Sequence, residues 1–146
     1  MAGEFGLFWG EHLYVGGDEK KPIIENFLYD RDVVCIISKP GVGKSILAMQ
    51  LMFSLTGGHP FLETYEVKRK CRVLYFQTEG DRVETIERIN AMKIALAIDD
   101  SYWAHLNLPG INLNTVEGYH KFLAYIRQCD MKYDVIIIDP MYTTVK

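Results

Sequence analysis

The chain has 146 residues, 49% hydrophobic and 24% charged, with a net charge of −3. That length suffices for one domain, because compact chains of this size bury roughly 68–70% of the surface they expose when unfolded. No run of about 18 apolar residues suggests a membrane span and the acidic balance lacks the basic bias of a dedicated nucleic-acid-binding domain, so a soluble protein is expected. Three widely spaced cysteines read as reduced thiols of a cytoplasmic one.

The first segment, MAGEFGLFWGEHLYVGG, is partly apolar but carries Glu4 and Glu11 and no basic leader, which argues against a signal peptide. Residues 1–20 read as an N-terminal extension or appended remnant, and residues 21–146 as the domain. Within it, VVCIIS (33–38) is a short apolar, β-branched run and predicts a strand buried on both faces. KPGVGKS follows, then ILAMQLMFSLTGG, which is apolar nearly all round and predicts a buried helix stopped by Gly57-Gly58.

Residues 59–70 are polar and irregular and predict a loop; the basic cluster Lys68–Arg72 within and after it reads as a solvated turn. VLYFQTE (73–79) predicts a second strand. Asp81 and Glu84 form a capping-box pattern, and Val83, Ile86, Ile89 and Met92 give the next helix an apolar face. HLNL (105–108) reads as a short edge strand and PGINLN as a turn, with Asn114 and Glu117 as the next capping pair. Val116, Tyr119, Phe122, Leu123 and Ile126 are spaced as one face of a third helix. Finally YDVIIIDP places four aliphatic residues before Asp139, with Pro140 ending the ladder. Strands that alternate with helices indicate parallel pairing, hence an α/β fold.

The cysteines (Cys35, Cys71, Cys129) are widely spaced, and the histidines (His12, His59, His105, His120) pair with nothing at metal-ligand spacing. Neither a disulfide framework nor a zinc site is expected.

The chemistry centres on SKPGVGKS, which meets the phosphate-loop rule G-x-x-x-x-G-K-[ST] except at Ser38. A loop between a buried strand and a helix N-terminus gathers backbone N–H groups with no intrahelical partner, and the helix dipole adds positive potential. Gly41 and Gly43 supply the unusual dihedrals that wrapping an anion demands. The candidate nucleotide-binding set is therefore Pro40, Gly41, Val42, Gly43, Lys44, Ser45 and Ile46, with Lys44 reaching the β/γ-phosphates in a catalytic role and Ser45 a direct Mg²⁺ ligand. The bland alternative is an ordinary turn that Lys44 and Ser45 happen to close.

Asp139, at the carboxyl end of a parallel strand, lies where it can hold Mg²⁺ through water; alternatively Asp139-Pro140 simply opens a turn. Pro140 occupies the position where many phosphate-loop ATPases carry a catalytic carboxylate, so the base must come from elsewhere. Glu79 ends a neighbouring strand on the same edge and is the candidate, the alternative being a glutamate that favours the start of the next helix.

Taken in order, SKPGVGKSILAMQL, RVLYFQTEGD and YDVIIIDPM resemble the RecA-like ATPase core, in particular the branch of RepA-type hexameric replicative helicases, from about Ile23 to the last residue. The resemblance implies a three-layer α/β/α fold with a mostly parallel sheet, ATP held by the glycine-rich loop, Glu79 activating water and Asp139 holding Mg²⁺. It also implies a hexamer, DNA as partner of the full-length protein, and an arginine finger from a neighbouring subunit. In that family a further strand lies between the phosphate-loop strand and the aspartate strand, and the DNA loops follow. The chain is therefore expected to be truncated, incomplete at its C-terminus, with 33–38 and 135–139 not directly paired. The rival readings are a nucleotide-dependent regulatory module that does not move on DNA, and a non-catalytic structural paralogue.

Overall fold

The computed structural model describes residues 20–99, 102–128 and 132–140. The N-terminal segment 1–19 and Cys129 lie outside these described residues. In chain order the elements are β1 (Pro22–Ile24), β2 (Leu28–Tyr29), α1 (Lys44–Gly57), β3 (Val73–Gln77), α2 (Arg82–Leu96), β4 (Trp103–Asn107), α3 (Val116–Gln128) and β5 (Val135–Asp139).

Three strands form the main sheet in the order β4-β3-β5, all parallel, with Val73 opposite both Trp103 and Val135 and Gln77 opposite both Asn107 and Asp139. Every residue of the central strand β3 is buried, as a parallel strand covered on both faces requires. Side chains alternate between the two faces. Val73 and Tyr75 join a core with Met49, Met52, Phe53 and Leu55 of α1 and Ile89 of α2, whereas Leu74 and Phe76 pack with Phe122 of α3. The fold is therefore α/β with a parallel sheet between helices, as expected.

The helix expected after the glycine-rich loop is α1. Met49, Met52, Phe53 and Leu55 are all but fully buried, and each contributes roughly 1.5–3 kcal/mol by leaving water. The helix ends as read, with Gly58 left-handed at φ 75° and its N–H donating to the Ser54 carbonyl at 2.8 Å. Asp81 caps α2, its carboxylate accepting from the Val83 and Glu84 amides at 2.6 and 3.0 Å.

The strand expected at 33–38 does not form. The segment has no strand assignment and its apolar side chains face solvent, Val33 and Ile37 each 91% exposed. Periodicity reports what a segment tolerates, but a strand exists only where a neighbouring edge supplies hydrogen bonds, and β5 is the last strand of the described sheet on that side. Residues 33–38 are accordingly not paired with β5, but because they form no strand, so the expectation of an intervening strand has no strand to separate.

Two smaller expectations change. In α2, Ile89 is buried but Val83 is 65% exposed, because Thr85 turns inward instead to meet Gln77. In α3 the cap is Thr115 and not Asn114: its hydroxyl accepts from the Gly118 amide at 3.1 Å and donates to the Asn112 carbonyl at 2.8 Å. Phe122 is buried as read, while Val116 and Tyr119 are largely exposed.

An antiparallel pair, β1 and β2, adds Ile23, Ile24 and Leu28 to the larger core beside Phe61. Two cations of the basic cluster that follows are paired locally. Lys68 pairs with Glu66 at 2.7 Å and Glu25 at 3.4 Å, and Arg69 pairs with Asp30 and Asp134.

Candidate functional site

The glycine-rich loop runs directly into α1, whose N-cap is Gly43 at φ 90°, ψ 20°. No side chain caps this helix and its first turn holds no acidic residue, so its positive end is left for an outside anion. Along the loop the left-handed conformation occurs at Gly41 (φ 80°) and Gly43, and a Cβ at either would project into open space. Backbone strain rather than lack of room therefore makes these two positions glycine. Ser38 is not left-handed. The one place where the sequence departs from the phosphate-loop rule is a place where the observed backbone accepts any L residue.

Lys44 is the first residue of α1 and its ammonium folds back across the loop, donating to the carbonyls of Ser38 (3.1 Å) and Lys39 (2.8 Å). The carbonyls offer only partial charge to the ammonium, whereas a phosphate oxygen would add a full opposite charge. Beside the loop lies an open cleft of about 500 Å³ lined by Ser38, Val42, Gly43, Lys44 and Ile46, together with Ile36, Leu47 and Gln50. Five of the seven loop positions singled out from Pro40 to Ile46 are thus at the cleft or are left-handed glycines. Glu79 and Asp139 do not line it.

Those two carboxylates belong instead to the carboxyl ends of adjacent parallel strands, Asp139 closing β5 and Glu79 lying just beyond the end of β3. Beyond the ladder the Thr78 amide donates to the Asp139 carbonyl at 3.1 Å and the Thr78 hydroxyl to the Pro140 carbonyl at 2.9 Å. Glu79 comes next in the chain and is exposed, as a residue that meets solvent or substrate must be. Asp139 is 9% exposed, and its Oδ2 accepts a 2.5 Å bond from the Tyr75 hydroxyl. Burial, reinforced by the bond to Asp139, pushes the Tyr75 phenol far above the usual tyrosine range, so it stays protonated and donates.

A polar network that the sequence reading missed sits on the same face. Gln77 Oε1 accepts from Asn107 Nδ2 at 3.1 Å and lies 3.0 Å from His105 Nε2, while Gln77 Nε2 donates to Thr85 Oγ1 at 2.8 Å. Burial, and secondarily the charge of Arg82, lowers the His105 pKa. One signal was available: glutamine is an unusual residue in a wholly buried strand, and a buried amide demands partners.

Among the described residues no group of three or more His, Cys, Asp or Glu is arranged to hold a metal. Mg²⁺ takes one or two protein oxygens and completes its octahedron with water and phosphate. Ser45 and Asp139 are hard oxygen donors of the kind that ion uses.

The model of the AAA domain family matches residues 9–146, nearly the whole chain. The chain belongs to the AAA domain family. No curated protein and no solved structure gives a significant match. Membership makes this a P-loop, AAA-type ATPase domain with nucleotide as its ligand. Among the described residues of this AAA domain, no helix is long and apolar enough to cross a membrane.

Proposed function

We propose that the domain binds and hydrolyses ATP as the core of a RecA-like motor of the plasmid- or phage-type replicative helicase branch, working on DNA as a hexamer in the full-length protein. The observation that supports nucleotide binding is the uncapped turn from Gly41 to Lys44, with its two left-handed glycines, at the start of a helix that packs on a parallel sheet; the helicase branch rests on the sequence resemblance. In this reading the amides from Gly41 to Ile46, with Pro40 and Val42 shaping the turn, wrap the phosphates. Lys44 exchanges its two carbonyl partners for β- and γ-phosphate oxygens. Ser45 and Asp139 hold Mg²⁺, which when bound neutralises charge on the phosphates. Glu79, at the solvent edge beside Asp139, orients and deprotonates the attacking water.

ATPase activity of the full-length protein, with and without single-stranded DNA, tests the motor part. Stimulation of several-fold by DNA that is lost in Glu79→Gln supports it. ATP turnover indifferent to DNA would replace the motor with a nucleotide-dependent regulatory module.

A further inference from the structure

Asp139 is held by two separate devices, and only one of them is backbone. Thr78 ties the main chain of Asp139 and Pro140 to the end of β3. The carboxylate itself is gripped by Tyr75, a fully buried residue one strand away on the same face of the sheet. The phenol takes Oδ2 at 2.5 Å, which leaves Oδ1 as the oxygen for a metal-bound water. The ring has little freedom to depart from this position, since it lies within the core formed with α1 and against His105, with ring centroids 5.7 Å apart. An aspartate without this partner would rotate about its side-chain bonds and present either oxygen; with it, one orientation is selected before the ligand arrives.

We propose that Tyr75 is a positioning residue for the Mg²⁺ site, fixing the Asp139 carboxylate so that a single oxygen is offered to the metal's hydration shell. The inference rests on the reading of Asp139 as the Mg²⁺ carboxylate. Groups that orient a metal ligand from behind commonly matter by about 10–100-fold in metal affinity. Simple packing would not produce that effect, because phenylalanine fills the same space as tyrosine apart from the hydroxyl.

The test is the binding of a fluorescent ADP analogue to the 146-residue chain as a function of Mg²⁺ concentration, in wild type, Asp139→Asn and Tyr75→Phe. Tyr75→Phe should leave metal-free nucleotide affinity unchanged and raise the Mg²⁺ concentration for half-maximal effect roughly tenfold. A metal dependence in Tyr75→Phe equal to wild type, with Asp139→Asn altered, would overturn the role of Tyr75 and leave that of Asp139 standing. No change in Asp139→Asn would remove the metal reading and the inference with it. Should Tyr75→Phe not fold, the wild-type chain labelled with ¹³Cζ-tyrosine supplies the answer. Mn²⁺ with ADP should broaden the Tyr75 resonance, and an unperturbed resonance at saturating Mn²⁺ would overturn the proposal.

Discussion

Thr78 and Pro140 lie 62 positions apart in the chain, yet the Thr78 hydroxyl donates to the Pro140 carbonyl at 2.9 Å, with Thr78 itself only 3% exposed. This bond continues the pairing of β3 and β5 past the end of the ladder. Together with the Thr78 amide bond to the Asp139 carbonyl, it ties the strand ends that lead to Glu79 and Asp139. The isosteric change Thr78→Val would leave the Pro140 carbonyl without that donor and cost about 1–2 kcal/mol. We expect a fall in Tm of a few degrees, together with a drop in ATP turnover larger than any change in nucleotide affinity. Thermal melts and steady-state kinetics check both parts.

His105 makes stability depend on pH with a definite sign. Burial lowers its pKa below the ordinary 6.5, so below pH 6.5 the unfolded chain takes up a proton that the folded chain resists. Its contribution is complete above that value and is lost as pH falls through and below it. Replacing it by glutamine should flatten the decline, so that the stability of wild type relative to His105→Gln falls by at most about 1.4 kcal/mol per pH unit below 6.5 and is constant above 7. Denaturant titrations of both proteins between pH 5 and 8 read this difference directly, because acidic groups common to the two cancel.

The two cysteines of the described residues should differ sharply in reactivity. Cys35 is exposed, whereas Cys71 is fully buried and its thiol is pushed up to about 11, chiefly by burial. Since the thiolate is the nucleophile, iodoacetamide at pH 8 should modify Cys35 in the folded protein and reach Cys71 only after denaturation. Peptide mass mapping separates the two sites from Cys129. Protection of Cys35 comparable to that of Cys71 would mean that segment 33–38 is covered in solution.

Much of this architecture was legible before the structure, and for identifiable reasons. α1 was readable because residues 46–55 are apolar on nearly every side, β5 because VIIID is a short aliphatic run ended by proline, although only Asp139 of it is buried, and the α2 cap because Asp81 has only local work to do. The failures share a cause. Residues 33–38 look like a strand, but strand formation depends on a partner that no local pattern contains. Thr115 displaced Asn114 as a cap because the turn at Asn112 fixed which side chain faced the helix start. The link between Tyr75 and Asp139 joins residues 64 positions apart, and depends on the register that places Gln77 opposite Asp139. At the loop, Ser38 breaks the rule at a position where the backbone asks nothing of glycine, a fact of conformation that the sequence alone does not carry.

The central claim is that residues 38–45 are a phosphate cradle with Lys44 as its cation. Titration of nucleotide into the wild-type chain and Lys44→Ala, in the presence of Mg²⁺, tests it most directly. Lys44 touches only the Ser38 and Lys39 carbonyls, so its removal should leave the fold and Tm nearly unchanged. Loss of a charged hydrogen-bond partner of about 1.5–3 kcal/mol should weaken nucleotide binding roughly 10- to 150-fold. Equal affinity in the two proteins would contradict the account and remove the loop from it.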